Sequence, residues 1–387
     1  MHRREFISVA ATVPLALSRA LHSRVLADQK ATKTPIIILF CSGGVSHKES
    51  FNPDPPSTTA ELRGPLGSIP TKTPGVHFSE VFPELAKRQD KFALIRNLDS
   101  GSSDHTPSQK TAILSGERTV TEVIGDSAAN GGIPYILLNP GSNWPGLQDA
   151  FRMGQSFCPI WNQEKKCLTP PEMSPVNNLA ERKELLDALD RSDVPSPMQE
   201  KIRKFRATAF DLLSGGGGFM EALRLPEIER KRFGGTLVGD LVLTAKRFVE
   251  RGAGAVTVYD EPESVAYDLH NNIGDGMKHM APPMDKAASV LLDEITSGRL
   301  HATLLLMGEF SRTPKINPTA GRDHWQYGNC AILAGSKIKG GVVIGKTDKF
   351  GRSTEDIKQG ETLPNTMLAA CGQEVRPDKP RVRDVLV

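Results

Sequence analysis

Leu300 to Gly335 reads LHATLLLMGEFSRTPKINPTAGRDHWQYGNCAILAG. Leu304, Leu305 and Leu306 form a continuous apolar run, the pattern of a strand buried on both faces. The run gives way at Met307-Gly308 to Glu309, Ser311, Arg312, Arg322, Asp323 and His324, then returns to a second apolar run from Cys330 to Ala334. Ligands of α/β proteins bind beyond the carboxyl ends of parallel strands. A buried strand that opens into a loop of acid, guanidinium and imidazole fits that plan. An ordinary charged surface turn draws on the same residue types.

Working outward, the chain repeats helix followed by strand. Pro283 to Ser297 has helical periodicity and ends at Gly298, just ahead of the strand Leu300 to Met307. Leu237, Val238, Leu241, Val242, Ala245, Phe248 and Val249 mark an amphipathic helix that closes at Gly252. Strand Ala255 to Tyr259 follows, and a polar loop then presents Asp260, Glu261, Asp268 and His270. Pro35 to Phe40 reads as the first buried strand, ending on Cys41-Ser42-Gly43-Gly44, with Ser46, His47 and Glu49 next. Shorter strands are expected at Phe92 to Ile95 and Ile133 to Leu138, and Ser79 is expected to cap a short helix through Arg88. The alternation predicts an α/β fold: a doubly wound, mostly parallel sheet with helices on both faces. Gly141 to Asn178 is rich in Pro, Gly and Asn, and helices are expected at Leu179 to Leu189 and Met198 to Leu213.

Ser102-Ser103-Asp104-His105-Thr106-Pro107 precedes another helix. Thr106 followed by Pro107 fits an N-cap and first helical position, with the helix running to Leu114 and closing at Gly116. A hydroxyl there sits among free N–H groups at the positive end of the helix dipole, where an anion or an alkoxide is stabilised. A plain capping role uses the same residue.

The chain has 387 residues and a formal net charge of +3, too small a charge to argue for nucleic acid. No apolar run is long enough for a stable membrane span. Five cysteines, scattered and odd in number, make neither a disulfide framework nor a metal knuckle, although Cys158 and Cys167 are close enough to pair. At the N-terminus, Arg3-Arg4 precede Phe6 and an apolar stretch from Ile7 to Leu17, and Val25-Leu26-Ala27 suits signal-peptidase cleavage. This is the pattern of a twin-arginine signal over residues 1–27, read by the twin-arginine export machinery, with the periplasm or cell envelope as destination. Residues 28–387 are then expected to form a single domain with a loop-rich insertion around 139–220.

Several motifs resemble the domain of unknown function 1501 family, exported bacterial proteins grouped with the alkaline phosphatase superfamily. They are Gly43-Gly44-Val45-Ser46-His47, Thr73-Pro74-Gly75-Val76, Ile95-Arg96-Asn97-Leu98, His105-Thr106 and Tyr267-Asp268-Leu269-His270. The most specific are Gly308-Glu309-Phe310-Ser311-Arg312-Thr313-Pro314 and Gly321-Arg322-Asp323-His324-Trp325. The resemblance implies an alkaline-phosphatase-like sheet with Thr106 at the nucleophile position beside His105. It also implies that Asp268 with His270, Glu309, Asp323 and His324 supply ligands for a divalent metal: zinc, manganese or calcium. The chain departs from the superfamily at Ser42-Gly43-Gly44, where an acid usually follows the first strand, and at Phe310, where a second histidine would stand.

Carboxylates mixed with imidazoles are also, as residue types, the ligand set of a catalytic metal. The expected activity is metal-dependent hydrolysis of phosphate or sulfate esters. Arg312 or Arg322 would bind the tetrahedral anion of a small or glycan ester, and Thr106 or a water would attack it. The alternative is an exported binding or scaffold protein that keeps the fold without catalysis.

Overall fold

The residues Ile36–Cys41 form β1, and their alternation explains why the whole segment is apolar. Ile37, Leu39 and Cys41 enter one buried cluster, while Ile36, Ile38 and Phe40 enter a second on the opposite face. The computed structural model describes residues 33–129, 133–138, 178–189, 221–261, 267–353, 355 and 357–387, with short pieces at 160–162, 167–169, 203, 206–210 and 213. The twin-arginine segment, Cys158 and its pairing with Cys167, and most of the 139–220 insertion and of the Met198 to Leu213 helix lie outside the described residues.

The other strands of the sheet are β2 (Ala93–Asp99), β3 (Tyr135–Leu138), β4 (Ala255–Asp260), β5 (Thr303–Met307), β6 (Asn329–Ala334), β7 (Val343–Ile344) and β8 (Ile357–Lys358). They lie in the order β7-β2-β6-β5-β1-β4-β3, and β8 also pairs with β2. Strand β1 is parallel to β4 and β5, β4 is parallel to β3, and β2 is parallel to β7 and β8. Strand β6 alone runs antiparallel to both of its neighbours. The sheet is thus the mostly parallel α/β sheet expected, with one reversal that matters at the site.

Among the described residues, the helices that cover it include α1 (His105–Ile113), α2 (Val120–Ala128), α3 (Leu237–Glu250), α4 (Ile273–Thr296) and α5 (Gln359–Ala370). Leu241 and Phe248 of α3, with Met284 and Leu291 of α4, pack on the face that holds Leu39. Ile113 of α1, Ile124 of α2 and Leu363 of α5 pack on the face that holds Phe40. Helix α4 starts ten residues earlier than the sequence suggests, because Pro282 and Pro283 lie inside it. Each proline removes one backbone N–H from the helix ladder without ending the helix. Among the described residues no helix is long and apolar enough to cross a membrane.

Ser79 does not cap a helix; it ends a short strand, and the helix that follows is only Pro83–Ala86. Its first N–H groups are satisfied from a distance. Asp285 of α4 accepts from Glu84 N and Leu85 N, both at 2.8 Å. Burial pushes the Asp285 carboxyl up to about 6, against the pull of those two N–H groups. A folded pKa above the unfolded value means the linked stability is present below pH 4 and lost as pH rises through about 6. Asp285→Asn is therefore expected to flatten the stability profile between pH 4 and 7. Asp285→Ala, which orphans both donors, should cost about 1–3 kcal/mol. Parallel pH profiles for wild type and Asp285→Asn in thermal unfolding would refute this account.

Candidate metal centre

Four chain segments meet beyond the carboxyl ends of β1, β4 and β5, and each arrives for a local reason. The Asp268–His270 loop follows β4, Glu309 follows β5, and His105 begins α1, the helix after β2. His324 precedes β6 rather than following a strand. Because β6 runs antiparallel, its start lies at the same edge as the ends of its neighbours. A two-residue ladder, Ser311↔Trp325 and Arg312↔His324, then holds His324 and Arg312 on one face. Gly321 must be glycine here, since a Cβ would stand 2.1 Å from the His270 carbonyl.

Asp268 is the centre of the group. His324 Nε2 and His270 Nε2 each lie 3.0 Å from Asp268 Oδ1 and 3.0 Å from one another. His105 Nε2 lies 3.6 Å from Asp268 Oδ2. The ligand atoms of His105, Asp268 and His324 all fall within 4.8 Å of one another, a grouping able to hold a metal ion.

The far nitrogen of each imidazole is tethered. His324 Nδ1 donates to the Ser103 carbonyl at 2.8 Å, His105 Nδ1 faces Glu309 Oε1 at 2.8 Å, and His270 Nδ1 faces Asp323 Oδ1 at 2.9 Å. A neutral ring that donates from Nδ1 presents an Nε2 lone pair, the form in which His324 and His270 could ligate, whereas His105 stands between two carboxylates that favour its doubly protonated form. Burial pushes the Asp268 carboxyl up, but His105, His324 and Arg312 outweigh it and hold the group far below the usual carboxylate range. Burial also works against charge on His105, yet Asp268 and Glu309 raise its pKa to about 9.

Glu309 and Asp323, expected as direct ligands, are placed behind the imidazoles instead. Glu309 is fully buried, and its Oε1 also accepts from Gly43 N at 2.9 Å. Asp323 Oδ1 also accepts from Asn317 Nδ2 at 3.2 Å. Both carboxylates therefore orient rings. His105, expected among the catalytic groups, falls within the same grouping as Asp268 and His324.

The two arginines also correct their expected role. Arg322 is wholly buried and bonds Glu49 through Nε and Nη2, at 2.9 and 2.8 Å. Its remaining N–H groups go to the carbonyls of Thr313, Pro314 and Leu62, which leaves none for an anion. Arg312, equally buried, bonds Asp268, the Gly43 and Gly44 carbonyls and the Arg322 carbonyl. It neutralises and positions Asp268 from behind.

Thr106 is not the cap. Asp104 holds the N-cap position without a side-chain bond, and Thr106 is the second residue of α1, half-buried. Asp260, at the end of β4, is buried and accepts from Tyr267 Oη at 2.9 Å. Burial pushes its carboxyl up to about 7. Phe310 lies with its ring centroid 4.6 Å from that of His324 and 5.1 Å from that of His105, an apolar wall where a further ligand would stand. Gly44 makes room for this ring, since a Cβ would lie 2.4 Å from it. Sequence reasoning gave Ser103 no role because it acts through its backbone carbonyl, which any residue supplies.

With this geometry in place, the comparisons are specific about family and thin about relatives. The family described as protein of unknown function (DUF1501) matches residues 33–130 and 180–377. No curated protein matches the chain. Solved structures similar to it include the phosphonate monoester hydrolase of Silicibacter pomeroyi, at 10% identity over 91% of this chain and 76% of that one, TM-score 0.44. A TAB5 alkaline phosphatase variant with bound magnesium is 12% identical over 89% of this chain and 100% of that one, TM-score 0.42. A 2-O GAG sulfatase is 12% identical over 90% of this chain and 73% of that one, TM-score 0.39.

Proposed function

The chain belongs to the DUF1501 family of proteins of unknown function, and from that premise and the cluster at Asp268 we propose a hydrolase of phosphate or sulfate esters that works with one divalent metal ion. The observation that carries the proposal is the mutual approach of three acceptor atoms, His324 Nε2, His270 Nε2 and Asp268 Oδ1, at 3.0 Å. Without an ion, ring protons and the Arg312 guanidinium satisfy these contacts; a divalent ion would take the place of the protons and draw on the same three atoms. Ligands about 2.0–2.1 Å from a zinc ion lie about 3.3 Å apart in a tetrahedron, close to the spacing found. A set rich in imidazole suits zinc or manganese better than calcium, which takes six to eight oxygens.

His105, Asp268, His270 and His324 would hold the ion, with Glu309, Asp323 and the Ser103 carbonyl fixing the rings. Bound there, the metal supplies Lewis acidity to an oxygen of the tetrahedral ester. The chain's own contribution begins at α1. Thr106 stands next to His105 in the first turn, among N–H groups that no helical carbonyl uses, where an anionic ester and a developing alkoxide are both favoured. Thr106 Oγ would bond to phosphorus or sulfur as the bond to the leaving oxygen breaks, and the proton it gives up would pass through water to that oxygen, which departs as the alcohol. Water would then release the Thr106 ester.

The test is a screen of aryl phosphates and aryl sulfates alongside elemental analysis of the purified protein. Thr106→Ser should keep part of the turnover, and Thr106→Ala should remove at least about 100-fold of it. A fully active Thr106→Ala would move the attack to water. No metal after loading and no turnover on either ester class would leave a binding or scaffold protein.

A further inference from the structure

We propose that an open groove on the far side of the Ser311–Trp325 ladder binds an acidic sugar unit of a glycan. The groove is about 460 Å³ and is walled by Thr313, Pro314, Lys315, Trp325, Phe350 and Arg352. That size falls within the range of small-molecule sites. It is separate from the metal cluster, because alternation along the two-residue strand turns Trp325 away from the face on which His324 meets Asp268.

Its walls combine aromatic faces with cations. The Arg352 guanidinium lies 4.4 Å from the Tyr327 ring centroid and 5.5 Å from that of Trp325. Lys349 Nζ lies 5.2 Å over the Phe350 ring, and Phe350 remains 46% exposed. Among the described residues Arg352 has no carboxylate partner, so stacking holds its charge in place. Lys315 is paired with Glu61 at 2.5 Å, which offsets part of its charge. Asp348, an acid on the same loop, bonds the backbone: its Oδ1 accepts from Phe350 N at 2.8 Å and Arg352 N at 3.0 Å. That turn fixes ring and guanidinium in register before any ligand arrives. Apolar ring faces receive the C–H face of a pyranose, while a stacked guanidinium and an ammonium receive its sulfate, phosphate or carboxylate.

The identity of the ligand rests on the ester-hydrolase reading: with a reacting ester at Asp268, an acidic sugar unit of the same glycan would be the groove's occupant. The experiment is calorimetric titration of the full chain with a chondroitin sulfate hexasaccharide, a neutral N-acetylglucosamine hexasaccharide and a single-stranded RNA hexamer. In parallel, turnover of a small aryl sulfate and aryl phosphate is measured. Wild type should bind the sulfated sugar at least about tenfold tighter than the neutral one. Phe350→Ala and Arg352→Ala should each weaken that binding about tenfold and leave aryl ester turnover unchanged. No preference for the acidic sugar, equal binding by the variants, or tighter binding of the RNA would overturn the proposal. Aryl turnover without sugar binding would sink the groove alone. Sugar binding lost in both variants, with no turnover of either ester, would sink the hydrolase reading and leave the groove standing.

Discussion

Replacing Glu49 with Ala is expected to cost about 3–5 kcal/mol of folding stability, the largest effect of any single substitution near the site. Glu49 and Arg322 are both about 1% exposed or less and meet through two parallel N–H···O bonds. Removing the carboxylate strands a guanidinium that has no route to water. Its remaining partners are neutral carbonyls of Thr313, Pro314 and Leu62, which satisfy N–H groups without cancelling the charge. The pair ties the loop after β1 to the loop before β6, so its loss acts on the fold, while His324 keeps its own anchor in the Arg312↔His324 ladder. Urea unfolding of Glu49→Ala against wild type measures this. A loss below about 1 kcal/mol would show that the pair is dispensable, and metal content per folded molecule should stay near that of wild type.

Replacing His324 with Ala should do the opposite. Its Nε2 faces Asp268 Oδ1 and His270 Nε2, and its ring is partly open to solvent. We expect metal content to fall from about one ion per chain to nearly none, and ester turnover to fall by more than about 100-fold. The unfolding midpoint of protein treated with chelator should barely move. Asp323→Asn and Glu309→Gln leave the facing nitrogens in place but loosen their rings, and should weaken metal binding by about 10–100-fold. Metal content that is nil in wild type and in His324→Ala alike, with a large loss of stability in the variant, would make the cluster a structural hydrogen-bond network.

The sheet was legible because its strands are buried on both faces. Ile36 to Phe40, Ala255 to Tyr259 and Leu304 to Leu306 announce themselves as continuous apolar runs, and each run ends where a polar loop begins. The polar residues at those ends come together at one edge of the sheet. Direction was not legible. Glu309 and Asp323 look like ligands in a sequence, and only the fold shows that they stand behind His105 and His270. Nor does a sequence show that Arg322 spends all its donors on Glu49 and three carbonyls. Antiparallel β6 explains how His324, which precedes its strand, reaches the edge where the other residues follow theirs. Asp285 reaching Leu85 across 200 residues has no local signal at all.

The central claim is that one metal ion sits among His105, Asp268, His270 and His324. Anomalous diffraction from crystals grown with zinc, recorded on both sides of the zinc edge, tests it most directly. The account predicts a single peak about 2.0–2.2 Å from Asp268 and from His324 Nε2, with Glu309 and Asp323 outside bonding distance. No peak there contradicts it, as does a pair of peaks about 3.5–4 Å apart that draws Glu309 into direct ligation.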